Sequence, residues 1–215
     1  MNDAQLVQLT ELIGTIYNVH SELTKSWRIY ANQANIQIFN QKSVKVKHLM
    51  EKPLLMESVS AYVEYLKGRT ELSLFNKESD GYEVMCRIKN HNSIEEKIED
   101  YCMYRQEKGE VSVNKCLNDL FGIRIVIDCG TISTDEIEIA IGDLADTLYV
   151  EDKNVPERGT VPPYIAKHIY FKSGNEDYRW ELQIWRSADQ KNNHESHKTH
   201  RYKYRRWESG DKSRV

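Results

Sequence analysis

The first third of the chain carries apolar residues with the period of an α-helix. One group recurs at steps of three and four residues and predicts an amphipathic N-terminal helix: Leu6, Leu9, Ile13, Ile16, Tyr17 and Leu23. Pro53 suits the first turn of a second helix that runs to about Lys67. The inward residues of that helix are Leu55, Val59, Tyr62, Val63 and Leu66.

The pattern breaks around Gly81, and from Glu83 it predicts a strand, a helix, a strand, a helix and further strands. We therefore predict an α+β (mixed α/β) fold, in which helices flank a central mixed sheet. A helical N-terminal region over residues 1–80 packs on a core over residues 81–215, and that core ends in a basic helix.

Three strand segments can be divided into two faces, because side chains alternate along a strand. Their apolar residues fall on one face, and their polar residues fall on the other: Arg124 in GIRIVID, Tyr164, His168 and Tyr170 in YIAKHIYFK, and Arg179, Glu181 and Gln183 in YRWELQIW. The last two segments are joined by SGNED, which predicts a hairpin. A sheet face that collects these residue types favours a binding surface over a solvated one.

Charge is distributed unevenly along a chain whose net charge is −3. From Arg186 to Val215 there are nine Lys/Arg and four Asp/Glu, a local charge of +5. Such a tail can attract a polyanion, and its predicted contacts with RNA are Lys198, Arg201, Lys203 and Arg206. A solvated C-terminal helix is the alternative. Among the same residues, the spacing of His194, His197 and His200 suits one helix face, where polyanion contact or solvent is favoured over zinc.

Neither the cysteines nor the hydropathy points to a secreted or membrane protein. Cys86, Cys102, Cys116 and Cys129 lack the spacing of a metal site and follow no signal peptide, which predicts reduced thiols in the cytoplasm. No apolar run approaches the ~18–20 residues that a membrane span requires.

The segment RIKNHNSIEEK places cations at the start of a predicted helix. Ser93 is predicted to begin that helix, with Glu96 completing a capping box. A helix N-terminus also attracts anions, and Arg87, Lys89 and Lys97 surround this one in the sequence. The pattern therefore favours a phosphate site, and the alternative is that Ser93 only caps the helix.

Two carboxylates and three further polar side chains complete the candidate chemistry. Asp119 lies just before one strand and Glu181 on another, and a pair of this kind can hold Mg²⁺ beside substrate phosphates. Arg124 can stack its planar guanidinium on adenine, and Tyr164 can stack on another base. His168, four residues along the same face, can reach a phosphate. Read singly, these residues are also compatible with surface acids, a core tyrosine and a structural histidine.

Four motifs in order resemble the synthetase domain of the RelA/SpoT family, whose members make the alarmones (p)ppGpp. They are R-I-K-x-x-x-S-x-x-x-K at Arg87, Lys89, Ser93 and Lys97, D-L-x-G-I-R at Asp119 to Arg124, Y-x-x-x-H at Tyr164 and His168, and E-L-Q-I at Glu181 to Ile184. The resemblance covers roughly residues 83–207. It implies a nucleotidyltransferase-like sheet and a pyrophosphokinase that transfers the β,γ-pyrophosphate of ATP to a 3′-hydroxyl and leaves AMP.

On the donor side, the resemblance implies that Arg87 and Arg124 enclose the adenine of ATP. It also implies that Lys89, Ser93 and Lys97 hold the phosphates. The cofactor implied is Mg²⁺, with ATP as the donor substrate.

On the acceptor side, the resemblance implies that Asp119 and Glu181 bind the metal and that Glu181 also deprotonates the acceptor hydroxyl. Tyr164 would stack on the acceptor base, and Gln183 and His168 would support the acceptor and its phosphates. Asp119, Glu181 and Tyr164 are thus the implied catalytic residues.

The chain departs from the family pattern mainly on this acceptor side. It has no His-Asp pair for the family's hydrolase domain, Pro162-Pro163 replaces the usual Asn-Gly, and Trp185-Arg186 replaces the usual Arg-Thr. These departures favour the toxin branch of the small alarmone synthetases. Three segments also resemble that branch: NKCLNDLFGIR, RGTVPPYIAKHIYFK and WELQIW.

The acceptor favoured by this resemblance is the 3′-end of tRNA, so that transfer blocks translation as part of a toxin–antitoxin system. One alternative is an alarmone synthetase that acts on GDP or GTP, and another is a catalytically silent nucleotide- or RNA-binding module. The partners implied are ATP, tRNA or GDP/GTP, an antitoxin protein and a homo-oligomer, without a membrane.

Overall fold

A computed structural model describes residues 1–75, 77–79, 82–156, 161–172 and 174–208, without the side chains of residues 74, 77–79 and 200–208. Within these ranges, six strands form one mixed sheet: β1 (Lys77–Ser79), β2 (Tyr82–Ile88), β3 (Phe121–Ile127), β4 (Leu148–Val155), β5 (Tyr164–Phe171) and β6 (Trp180–Arg186). Their order across the sheet is β1-β2-β3-β6-β5-β4. Only the central pair, β3 and β6, is parallel among the strand pairs of the described chain.

Helices flank the sheet. The α-helices are α1 (Asp3–Gln33), α2 (Lys47–Glu51), α3 (Pro53–Lys67), α4 (His91–Glu99), α5 (Val113–Cys116), α6 (Thr134–Ile141) and α7 (Gln190–Glu208). Short 3₁₀ segments span Thr70–Phe75, Gly142–Leu144 and Ser187–Asp189, and a π turn spans Asp100–Tyr104. The predicted α+β fold, the two long N-terminal helices and the antiparallel β5–β6 hairpin are confirmed. Gly81, where the pattern breaks, lies outside the described residues.

The apolar face of the sheet packs on the N-terminal helices in one continuous core. Ile123, Leu182 and Phe171 from three neighbouring strands belong to the same buried cluster as Trp27 of α1 and Val59 of α3. The period-2 pattern of the strands and the helical period of α1 and α3 thus provide complementary apolar surfaces. Burying these surfaces against each other is the main favourable contribution to folding.

Polar contacts fix how the helices sit on the sheet. Trp180 of β6 donates from Nε1 to the hydroxyl of Tyr62 on α3 at 2.8 Å, and the Tyr62 and Tyr178 rings stack at 4.3 Å. Arg28 of α1 donates to both carboxylate oxygens of Asp177, at 2.9 and 2.8 Å, in the β5–β6 connection. The N-terminal helices therefore share their core with the sheet. The division between residues 80 and 81 lies outside the described residues and stays a prediction.

The opposite face of the sheet is covered in part by α7. Asn193 on this helix accepts a hydrogen bond from the backbone N–H of Ile165 at 2.9 Å and donates to the carbonyl oxygen of Ile165 at 2.8 Å. Its side chain is fully buried, and it satisfies backbone groups of β5 just beyond the last residue paired with β6. No helix in the described part of the chain is long and apolar enough to cross a membrane.

The start of α4 differs from the sequence prediction. The helix begins at His91, and its N-cap is Asn90, whose side chain accepts a hydrogen bond from the backbone N–H of Ser93 at 2.8 Å. Ser93 is therefore the third helical residue, and the predicted capping box of Ser93 with Glu96 is wrong. The prediction failed because Asn and Ser are almost equally good N-caps, and the sequence offers both within one turn.

We expect Asn90→Ala to lower the free energy of unfolding by about 1 kcal/mol, the usual cost of losing an N-cap side chain. Ser93→Ala is the matched control, and it should change stability by less than about 0.5 kcal/mol because this position is not the cap. Urea denaturation of both variants measures the difference. A larger loss in Ser93→Ala than in Asn90→Ala would contradict the cap assignment.

Candidate active site

Strand register brings most of the predicted site residues together on one face of the sheet. Gly122 of β3 pairs with Arg87 of β2 on one side and with Glu181 of β6 on the other. Glu181 in turn pairs with Tyr170 of β5. The neighbouring row contains Arg124, Gln183 and His168. Side chains within a row point to the same face, so residues almost 100 positions apart in the chain become neighbours.

A cavity of about 330 Å³ lies between this face and α7. The sheet side contributes Arg87, Arg124, Glu181 and Gln183, and α7 contributes His194, His197 and Lys198. Its size falls in the range of small-molecule sites. Of the predicted RNA contacts, Lys198 lines this cavity, whereas the side chains of Arg201, Lys203, Arg206 and also His200 lie outside the described residues.

Glu181 is a buried carboxylate with a partner for each oxygen. Oε1 accepts from His168 Nδ1 at 2.9 Å and from the Tyr170 hydroxyl at 3.0 Å, and Oε2 accepts from Gln183 Nε2 at 2.8 Å. Burial alone would raise the pKa of Glu181, but the hydrogen bond and charge of His168 outweigh burial and bring the pKa below its usual value. Glu181 is therefore ionised at neutral pH although only 7% of its surface is exposed.

His168 connects Glu181 to Tyr164. Its Nδ1 donates to the carboxylate, which leaves Nε2 to accept from the Tyr164 hydroxyl at 2.8 Å when the ring is neutral. Both ring nitrogens thus contact protein groups, so a phosphate contact by His168 would replace one of them. Burial raises the pKa of Tyr164 well above its usual value, and its phenol stays protonated as this donor.

A compact ion cluster lies just before the start of β3 and consists of Asp119, Lys89 and Lys97. Lys89 Nζ donates to Asp119 Oδ2 at 2.6 Å, and Lys97 Nζ donates to Oδ1 at 3.0 Å. Burial would raise the pKa of Asp119, but the two ammonium groups lower it far below the usual range. Burial lowers the pKa of Lys89, whereas at Lys97 the attraction of Asp119 outweighs burial and raises the pKa. The predicted metal ligand and two predicted phosphate ligands are thus paired with one another.

The remaining donor-side residues border this cluster. Arg87 is exposed at the cavity, and Ser93 lies in the first turn of α4, the helix that also carries Lys97. Arg124 donates from Nη2 to Gln183 Oε1 at 3.2 Å, and its Cζ lies 3.5 Å from the ring centre of Trp185. Arg87 and Arg124 therefore place two cations in the wall of the cavity, whereas Ser93 and the ion cluster of Asp119 are not among the described residues that line it.

Two residues of the site, Trp185 and Tyr170, were not predicted as site residues from the sequence. Tyr170 shares a face with Tyr164 and His168 because side chains alternate along a strand. The same alternation could therefore have predicted that Tyr170 lies on the polar face near Glu181. Trp185 shares a face with Glu181 and Gln183 by the same rule. Trp185 is fully buried, and it lies on the polar side of the sheet, in a small cluster with Val126, Tyr164 and Ala166.

The donor atoms of Asp119 and Glu181 suit Mg²⁺, which binds carboxylate oxygens and keeps several waters. Every one of these four oxygens accepts a hydrogen bond from a neighbouring side chain. A metal ion on Asp119 would therefore compete with its lysine contacts. Among the described residues, no group of three or more His, Cys, Asp or Glu side chains is arranged to hold a metal ion.

The chain has structural neighbours of low sequence identity. One is the small alarmone synthetase 1 from Bacillus subtilis bound to its product pppGpp, with 21% identity, coverage of 70% of this chain and 77% of that chain, and a TM-score of 0.35. The same enzyme bound to AMPCPP gives 19% identity, 69% and 75% coverage, and a TM-score of 0.26. The protein smu.1046c from Streptococcus mutans UA159 gives 18% identity, 64% and 69% coverage, and a TM-score of 0.31.

No family model matches this chain. No curated protein matches it either.

We expect Asp119→Asn to lower the free energy of unfolding by roughly 3 kcal/mol at neutral pH, because it leaves two neighbouring lysines without a counter-charge. The folded-state pKa of Asp119 lies below its ordinary 3.8, so the carboxylate contributes full stability above about pH 4. That contribution is lost as the pH falls further. The difference in free energy of unfolding between wild type and variant should therefore be constant from pH 5 to 7 and become smaller below pH 4.

Urea denaturation across this pH range measures the gap. Asp146→Asn, at an exposed position, is the matched control and should stay within about 0.5 kcal/mol of wild type. A gap that does not change with pH would show that Asp119 contributes through packing rather than charge.

Proposed function

We propose that the protein is a Mg²⁺-dependent pyrophosphokinase that transfers the β,γ-pyrophosphate of ATP to a 3′-hydroxyl. The observation that carries the proposal is the placement of a buried, ionised Glu181 on the same sheet face as Arg87 and Arg124, beside the ion cluster of Asp119. A site of this kind can neutralise a polyphosphate and also accept a proton.

Lys89 and Lys97 are the proposed phosphate ligands, together with Ser93 and the N-terminus of α4. The lysines are held by Asp119, so their ammonium groups are already collected at one point. A triphosphate would attract the two ammonium groups away from Asp119, because at the same distance it offers more negative charge than one carboxylate. Fixed cations then stabilise the charge that develops as the α–β phosphate bond breaks.

Asp119 and Glu181 are the proposed ligands of Mg²⁺, which would supply charge neutralisation for the transferred phosphates. With the metal on Asp119, Lys89 and Lys97 would be left to hold the phosphates.

The adenine is proposed to lie between Arg87 and Arg124. Both side chains line the cavity and come from adjacent strands, and their planar guanidinium groups can stack on the two faces of a purine.

Glu181 is the proposed general base for the acceptor hydroxyl. Its lowered pKa keeps it ionised at neutral pH, and Gln183, His168 and Tyr170 fix both oxygens. The acceptor oxygen attacks the β-phosphorus while its proton moves to Glu181, and AMP leaves with the bridging oxygen. His168 Nδ1 donates to this carboxylate at 2.9 Å and stabilises its ionised form, which is the form that can accept the proton.

The proposed acceptor is the 3′-end of tRNA, with Tyr164, His168 and Gln183 on the acceptor side. Lys198 supports this acceptor, because it is exposed at the cavity and belongs to the basic C-terminal stretch that would follow an RNA backbone. The alternative acceptor is GDP or GTP, which would need the cavity but not the basic stretch. A toxin role and an antitoxin partner belong to the tRNA proposal.

The first test is incubation with Mg²⁺ and ATP labelled on the γ-phosphate, with bulk tRNA and GDP/GTP offered separately. We expect the label to move onto tRNA, and the transfer should fall steeply as salt is raised from 50 to 200 mM. Label found only on the guanine nucleotide would replace the tRNA proposal with an alarmone synthetase. Absence of transfer to either acceptor would contradict the proposed reaction.

Glu181→Gln tests catalysis against simple binding. We expect the variant to lose roughly 10²–10⁴-fold in kcat while ATP still binds, because the amide keeps the shape but accepts no proton. The matched control is Glu138→Gln on the exposed side of α6, which should transfer at the wild-type rate. If Glu181→Gln binds ATP and transfers normally, Glu181 is not the base. Wild-type protein that binds ATP without any transfer would favour the silent nucleotide-binding module.

A further inference from the structure

A buried indole lies directly behind the arginine that is proposed to bind adenine. The Cζ atom of Arg124 is 3.5 Å from the ring centre of Trp185, well within the distance of a cation–π contact. Arg124 lines the cavity, whereas Trp185 is not among the described residues that line it. The guanidinium therefore lies between the indole and the cavity.

Trp185 is held in place by aromatic rings from two other elements. The Tyr164 ring meets it edge-on at 6.0 Å, His194 of α7 meets it at 5.2 Å, and His197 stacks at 5.7 Å with an interplanar angle of 25°. Its surface is fully buried. Contacts with Tyr164 and with the two histidines of α7 therefore fix this indole, which then acts as a rigid support.

A rigid support lowers the entropy cost of stacking a ligand on Arg124. An arginine on a sheet surface has several rotatable bonds, and ordering it on binding costs conformational entropy. The indole below and Gln183 beside it, at 3.2 Å, hold the guanidinium in one plane before any ligand arrives. Stacking a base on this prepared plane costs less than stacking it on a mobile side chain.

We propose that Trp185 is a positioning residue for the nucleobase of the donor nucleotide, acting through Arg124. This inference rests on the proposed function only in that the cavity takes ATP. The resulting stack runs from the indole through the guanidinium to a purine, with Arg87 on the far side. It contributes to recognition of the base and not to binding of the phosphates, which lie toward Asp119, Lys89 and Lys97.

Isothermal titration with two ligands separates these contributions: ATP, and inorganic tripolyphosphate, which has no base, each with Mg²⁺. We expect Trp185→Leu to raise the Kd for ATP about tenfold and to leave the Kd for tripolyphosphate within about twofold of wild type. Trp185→Phe keeps an aromatic face and should raise the Kd for ATP by no more than about threefold.

Trp180→Phe is the matched control, because Trp180 is equally buried on the same strand but faces the opposite core. It should lower the melting temperature and leave both dissociation constants unchanged. A Trp185→Leu variant that binds ATP like wild type overturns the proposal, and so does an equal loss of affinity for both ligands.

The two proposals fail in different ways. Wild-type protein that binds ATP no more tightly than tripolyphosphate overturns the role of Trp185, because the base then contributes nothing. Wild-type protein that binds ATP with the expected dependence on Trp185 but transfers no pyrophosphate supports that role and overturns the proposed reaction.

Discussion

The parallel pairing of β3 with β6 is the constraint on which the site depends. These strands are separated by more than fifty residues, and their register sets Gly122 beside Glu181 and Arg124 beside Gln183. The antiparallel neighbours on either side then add Arg87 and His168 to the same rows. A slip of one residue in the central pair would turn the polar side chains into the apolar core, so the buried face on α1 and α3 enforces this register.

Burial gives the polar face its chemical character. Glu181 is removed from water, which would favour its neutral form, but three side-chain donors keep it charged. Asp119 is balanced in a different way, by two ammonium groups that each donate to one of its oxygens. Both carboxylates are thus charged in the folded protein, although different neighbours stabilise the two charges.

Helix α7 covers the site on the polar face of the sheet, and hydrogen bonds and ring contacts hold it there. Asn193 anchors it to the backbone of β5, and His194 and His197 pack on Trp185. The same indole contacts Tyr164 and supports Arg124. The proposed donor side, the proposed acceptor side and the C-terminal helix therefore meet at one aromatic residue.

Which residues can share a face follows from the amino-acid sequence, because alternation along a strand and the period of a helix are local properties of the chain. The sequence therefore predicted the long helices, the β5–β6 hairpin and the common face of Glu181 and Gln183. Which faces meet depends on the register between distant strands, and this register is visible only in the folded chain. The pairing of Asp119 with Lys89 and Lys97 and the contact of Trp185 with Arg124 both follow from that register. The cap of α4 is an intermediate case, since Asn90 and Ser93 are nearly equivalent as caps and only the folded backbone selected between them.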